Sequence, residues 1–190
     1  MRSVQRPDAH VSVEAWSGLQ FAERVDEAMA IYVQAMQYPR YTGSQRAVTA
    51  KRHSVHDGFA CRAAVDDAGT LLGFGYGYTT RPGQWWHDLV RRAMTAETAA
   101  QWLTDGFELS ELHVLPEHQG VGIGERLLLG LADDIPNPTM LLSTPDADTR
   151  AFRLYRNAGF VDLARDYMFP GDSRPFAVLG ARLPLVTVQG

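Results

Sequence analysis

Three glycines at alternate positions, Gly120, Gly122 and Gly124, separate the strand-like residues 111–114 from a segment with helical spacing. A strand that runs through such a turn into a helix leaves unpaired backbone N–H groups at the helix's first turn. With the positive end of the helix dipole, these make an anion site suited to a phosphate-bearing ligand. Glycine suits the place because a side chain would block the oxygens and because positive φ is open to it. A plain flexible turn would carry the same residues. Two familiar phosphate loops are excluded by spacing. A Walker A loop needs Lys after its last glycine, and Glu125 follows Gly124 here. A dinucleotide fingerprint needs Gly-x-Gly-x-x-Gly on a first βαβ unit, whereas this Gly-x-Gly-x-Gly lies deep in the chain.

The elements that must hold this turn follow from the flanking patterns. Residues 1–10 are polar and read as a loose, disordered segment, and 11–190 as a single domain. Residues 11–16 alternate as a first strand. Phe21, Val25, Ala28, Met29, Tyr32 and Met36 fall at helical spacing over 21–36, and Pro39 closes the segment. A more polar helix is expected over 42–58, ended by Gly58. Strands at 59–67 and 70–80, joined by Asp67-Ala68-Gly69, predict an antiparallel hairpin. Residues 81–105 read as a polar, aromatic insertion ending in a short helical patch. Strand 107–114, helix 123–133, strand 139–144, helix 148–158 closed by Gly159, and two final strands complete the chain. Leu127, Leu128 and Leu131 share a face, so the helix after the glycines can pack on a sheet and keep its N-terminus still. This order is a mixed α/β fold of the α+β kind.

Composition narrows the function. A formal net charge of -4 argues against nucleic acid and mildly for a cationic or amine substrate. Cys61 is the only cysteine, which excludes an intrachain disulfide and a thiolate zinc cluster. The first ten residues lack the apolar core of a signal peptide, and no apolar run approaches the ~20 residues of a membrane span. A cytoplasmic protein without a membrane partner is the expectation.

Gln119-x-x-Gly122-x-Gly124, preceded by a strand and Pro116, resembles the Gln/Arg-x-x-Gly-x-Gly/Ala signature of the GCN5-related N-acetyltransferase (GNAT) family. A second motif, residues 149–160 with Tyr155 and a closing Gly159-Phe160, resembles that family's later block. The element order matches from the first strand to the last. The resemblance implies a mostly antiparallel central sheet flanked by helices and splayed between its fourth and fifth strands. It implies acetyl-coenzyme A as co-substrate and no metal, with the acetyl group passing to a primary amine of a small molecule or peptide by direct attack in a ternary complex. A catalytically silent acyl-coenzyme A sensor, a longer acyl donor and an alcohol acceptor are the alternatives.

The same resemblance assigns residues. Main-chain groups at Leu112, His113 and Val114 would hold the pantetheine arm and thioester carbonyl. Gln119, Gly120, Val121, Gly122, Ile123, Gly124 and Glu125 would surround the pyrophosphate. Tyr155 would protonate or hydrogen-bond the departing thiolate, for which a phenol is a sensible donor. Many relatives carry Asn seven residues before that tyrosine; Asp148 stands here, able to cap the helix but repulsive to phosphates. An amine must lose a proton to attack a thioester, so a base is expected nearby. Glu108 and Glu111 rank almost equally, with His113 third. Strict alternation puts Glu108 on one face with Ser110 and Leu112, and Glu111 on the other with Leu109 and His113. A bulge would cancel that parity.

Several residues are candidates for the acceptor side. Gly73, Gly75 and Gly77 alternate with Phe74, Tyr76 and Tyr78, which reads as close backbone packing opposite a core face, with Tyr76 and Tyr78 bordering the acceptor. Trp85, Trp86 and His87 are expected to shape the acceptor site or to contact a second copy in a homodimer. His53 and His56 offer half a metal site with no third ligand in view, and a solvated helix face is the better reading. Arg150, Arg153 and Arg156 could meet the coenzyme's 3′-phosphate, although a charged outer face explains them too.

Overall fold

The computed structural model describes residues 10–186, so nearly all of the segment read as loose lies outside the described residues. Among these residues seven strands form one sheet: β1 (Ser12–Trp16), β2 (Ala60–Val65), β3 (Leu71–Thr79), β4 (Phe107–Val114), β5 (Thr139–Pro145), β6 (Val161–Met168) and β7 (Pro175–Arg182). Their order is β1-β2-β3-β4-β5-β7-β6. Only β4 and β5 run parallel, and they pair at just two positions, Phe107↔Met140 and Glu108↔Leu141. Beyond Glu108 the two strands part, which is the expected splay.

Among the described residues seven helices flank the sheet: α1 (Gly18–Glu23), α2 (Val25–Met36), α3 (Tyr41–His53), α4 (Trp85–Arg92), α5 (Ala96–Leu103), α6 (Ile123–Asp134) and α7 (Arg150–Asn157). Phe21, Val25, Met29, Ala47 and Ala50 pack from the first three helices onto Phe74 and Tyr76. Leu128 and Leu131 of α6 and Tyr155 of α7 pack on Phe107, Met140 and Leu142. Each fully buried leucine of this kind contributes about 1.5–3 kcal/mol, which anchors α6 and the turn before it. Val90, Ala99 and Leu103 of α4 and α5 pack on Leu141 and Val178. Met140 and Leu141 thus serve different layers, as alternation along β5 requires.

Four expectations change. The helix read over 21–36 is two helices, broken at Arg24, whose N–H bonds back to Gln20 and Phe21. The insertion at 81–105 is more ordered than its polar, turn-rich sequence suggests. Its tryptophans begin α4, because burying Trp86 and Val90 on a shared core outweighs the local turn signals. Thr149, not Asp148, caps α7, its side chain accepting from the Phe152 N–H; Asp148 pairs with Arg153 instead.

The fourth change concerns β4. Tyr76 faces Glu111 and Gly77 faces Leu109, so Ser110 is the extra residue of a β-bulge. The bulge resets the alternation and brings Glu108 and Glu111 onto the same side, opposite Tyr78 and Tyr76. Strict parity fails for that reason. Gly77 is what lets β4 come so near: a Cβ there would lie 2.0 Å from the Glu108 carbonyl oxygen.

Candidate active site

The fork between β4 and β5 opens into a cleft of about 1250 Å³. One end is built by the glycine turn. After a 3-10 turn at Pro116–His118, Gln119 Nε2 donates to the Val114 carbonyl at 3.0 Å and fastens the turn to the strand end. Gly120 and Gly122 have φ of 83° and 85°, a left-handed conformation that side chains resist. Gly122 caps α6 without a side chain, so the helix's first N–H groups and its positive dipole end are offered to a ligand. Arg150 lies over the turn, its Nη1 2.9 Å from where a Cβ on Gly120 would sit. Arg153 and Arg156 are held by Asp148 and Asp162. Of these three arginines, only Arg150 borders the cleft.

Leu112, His113, Val114, Gln119, Gly120 and Gly124 border the cleft. Val121, Gly122, Ile123 and Glu125 do not. Val121 is exposed, and Ile123 is buried with Ala64, Val114 and Leu127. Their main-chain N–H groups are what they can offer.

The bulge gives the two strand carboxylates opposite surroundings. Glu111 Oε1 accepts from Arg46 Nε at 2.6 Å, and Oε2 accepts from His113 Nε2 at 2.6 Å. Burial alone would raise its pKa, but the Arg46 charge and the His113 contact outweigh that and hold it below the ordinary carboxylate range. Glu108 is equally buried, and its Oε2 has no hydrogen-bond partner. Burial pushes its pKa up to about 8, against the pull of the neighbouring Tyr78 hydroxyl and Arg46, with Glu111 adding repulsion. The surroundings favour the ionised form of Glu111 and the protonated form of Glu108.

Tyr155 reaches the cleft from α7, packed against Phe160 at 5.6 Å between centroids. Burial, then the Glu111 charge, raises its phenol pKa, so it stays protonated.

On the opposite side the structure brings some of the sequence candidates to the cleft and not others. Tyr78, Trp85 and Trp86 border the cleft. Trp85 is exposed and lies 5.8 Å from Phe169, while Trp86 is buried and donates its Nε1–H to Ser143 Oγ at 3.0 Å. Tyr76 sits behind this wall, fully buried, sharing a 3.1 Å hydrogen bond with His53. His87 is buried on the far side of α4, where it borders a separate pocket of about 360 Å³ with Thr80 and Arg91. Both Tyr76 and His87 therefore leave the set of cleft-lining residues.

His53, on the inner edge of α3, and His56, in the turn after it, enter that set because both face the cleft. Burial, with Arg46 nearby, pushes the His53 pKa down to about 4, so it is neutral near pH 7. Among the described residues no group of three His, Cys, Asp or Glu could hold a metal ion. Arg46 has no marker in the sequence; it meets Glu111 only because α3 packs beside β4. Arg174 is equally unmarked, and it joins Asp172 to the Tyr38 hydroxyl, linking the β6–β7 turn to the end of α2 at the cleft.

No helix among the described residues is long and apolar enough to cross a membrane. The chain is 39% identical over 191 residues to the GCN5-like protein acetyltransferase Rv2170 of Mycobacterium tuberculosis, an alignment covering 85% of this chain and 93% of that one. Its fold matches YncA of Salmonella typhimurium, solved with its cofactor acetyl-CoA, at a TM-score of 0.64 and 14% identity over 96% of this chain and 99% of that chain. It also matches the ribosomal-protein-S18-alanine N-acetyltransferase of Escherichia coli, at a TM-score of 0.61 and 14% identity over 95% and 97% of the two chains. The acetyltransferase (GNAT) family model matches residues 25–160. With the splayed β4–β5 pair and the glycine turn in place, this chain belongs to the GNAT family of acetyltransferases.

Proposed function

We propose that the protein transfers the acetyl group of acetyl-CoA to a primary amine, by direct attack with both substrates bound. The observation that carries this reading is the fork itself: a phosphate-compatible turn at one end and the buried Glu108 carboxyl beside the strand edge. The residues present fit acetyl-CoA. The first N–H groups of α6, the turn from Gln119 to Gly124, and Arg150 would hold its phosphates. The unpaired edge of β4 at Leu112–Val114 would hold the pantetheine arm. When bound, acetyl-CoA supplies an activated thioester carbonyl.

The chain's own groups then divide the work. Glu108 accepts the proton that the amine nitrogen sheds as it bonds to the carbonyl carbon. A carboxyl with pKa near 8 is well matched to this task, because a base works best with a pKa near the working pH. Main-chain N–H groups of β4 stabilise the charge that gathers on the carbonyl oxygen, each good donor contributing about 2–4 kcal/mol. As the C–S bond breaks, the Tyr155 hydroxyl donates to the departing sulfur. Glu111, fixed between Arg46 and His113, positions this end of β4. Its lowered pKa makes it a poor base, which supports Glu108 over Glu111 for that role.

The acceptor is an amine of a small molecule or a peptide. A relative named a protein acetyltransferase, and a structural neighbour acting on a ribosomal protein's alanine, support a polypeptide. The test is release of free thiol from acetyl-CoA with a panel of amines and lysine peptides. Tight acetyl-CoA binding with no release from any of them would sink the proposal and favour a silent binding module.

A further inference from the structure

The face of α3 that turns away from the sheet carries Tyr41, Gln45, Val48, Lys51 and Arg52, with Val55 in the turn that follows, and all are exposed. At about 100° per residue they fall within one arc of roughly 120°. Tyr41, Val48 and Val55 recur every seventh residue and are 68%, 62% and 84% exposed. Single apolar residues at a surface are ordinary, but two in line on a helix face and a third in the turn that follows are candidates for a contact surface.

The charge on this stripe is one-sided. From Arg40 to His56 there is no acidic residue, in a chain whose net charge is -4. Arg46 is engaged by Glu111. Among the described residues, Arg40, Lys51 and Arg52 have no carboxylate partner, and Arg52 makes only a long contact to Thr49. The inner edge of the same helix, Arg46, Thr49 and His53, borders the cleft, as does Arg52. The stripe therefore continues to the cleft mouth. From Tyr41 to Val55 it runs about 20 Å at 1.5 Å per residue, longer than a small amine could span.

We infer that the outer face of α3 docks a polypeptide acceptor in which acidic and apolar side chains flank the acetylated amine. The inference rests on the acetyltransferase reading above. Cations without internal partners supply the charge complementarity, and rim charges of this kind act mainly on encounter and selection. The aligned Tyr41, Val48 and Val55 supply the apolar contact. Glu108, Tyr155 and the glycine turn would be untouched by such docking.

The experiment compares three lysine peptides of equal length with acidic, neutral or basic flanks. The acidic peptide should show the highest kcat/KM, and that advantage should fall as sodium chloride is raised. The double variant Arg40→Glu/Lys51→Glu should raise its KM about tenfold and leave kcat and the acetyl-CoA KM unchanged. Val48→Ser should cause a smaller loss. Equal kcat/KM for the three peptides, or an unchanged preference in the double variant, would overturn the inference. Binding of a labelled acidic peptide, followed by fluorescence anisotropy, keeps the two readings apart. If no amine releases thiol, the acetyltransferase reading fails, and peptide binding abolished by the double variant still upholds the surface. Displacement of that peptide by an oligonucleotide of equal charge would overturn the inference in favour of a general polyanion site.

Discussion

The wall read above as the donor side, from Leu112 round to α7, centres on the main chain of the glycine turn, with Gln119, Arg150 and Tyr155 around it. The wall read as the acceptor side, from α3 to α4, offers imidazole, phenol, indole and guanidinium side chains. The two walls meet at β4, where the bulge at Ser110 puts Glu108 and Glu111 on the same side with oppositely shifted pKa values. A wall made of backbone recognises a fixed chemical group and leaves a spacing rule in the sequence. A wall made of side chains from α2, α3, β3, α4 and the β6–β7 turn leaves none, because its members meet only after folding.

Substitutions on the two walls should therefore have separable effects. The largest is expected at the seam. Glu108→Gln should lower kcat about a thousandfold while acetyl-CoA still binds. The sign of its pH effect follows from the raised pKa: the base becomes available as pH climbs through about 8, so the wild-type rate rises there and the variant loses that limb. The same carboxyl takes up its proton more readily folded than unfolded. Stability should thus fall as pH rises from the ordinary carboxylate range to about 8, and less so in the variant. A flat wild-type pH–rate profile across this window would remove Glu108 from its role.

Tyr155→Phe comes next, with a loss of about a hundredfold in kcat and little change in melting temperature, since the ring's packing is kept. An equal loss of stability would recast Tyr155 as a core residue. Gly120→Ala should weaken acetyl-CoA binding about tenfold, because the left-handed φ costs roughly 1–2 kcal/mol and the new methyl crowds Arg150. Its acceptor KM should not move, whichever amine is used. Trp85→Ala should do the reverse, raising acceptor KM about threefold with no effect on acetyl-CoA binding. Equilibrium sedimentation of that variant also checks the homodimer alternative. An acceptor effect from Gly120→Ala, or a coenzyme effect from Trp85→Ala, would break the division between the walls.

Legibility in the sequence followed the same division. Gly120, Gly122, Gly124 and the strand before them marked a candidate anion site through local geometry, and the order of the strands was readable through to β7. The bulge was not, since nothing in Phe107–Val114 marks Ser110 as the extra residue; the pairing with Gly77 and Tyr76 decides it. Trp85 and Trp86 looked like turn residues because the partners that make α4 a helix, Leu141 and Val178, lie far along the chain. Tyr76 and Tyr78 read alike, yet packing by Phe21 and Phe59 hides the first while the second reaches the cleft. His53 looked solvated for the same reason: which edge of α3 turns inward is fixed by Ala47 and Ala50 against the sheet.

The two-position pairing of β4 with β5 carries a further consequence. A strand normally has its amides covered by a neighbour on each side, but from Leu109 onward β4 has β3 on one side and no bonded strand on the other. On the reading above, acetyl-CoA would act as the missing strand and finish the sheet from within. Amides of residues 109–114 that point into the fork should then exchange with solvent faster than those facing β3, and slow when the coenzyme binds. At a hundred times its Kd, the coenzyme would also raise the protein's stability by about 2.7 kcal/mol through mass action alone. The co-substrate would be, for as long as it is bound, part of the fold.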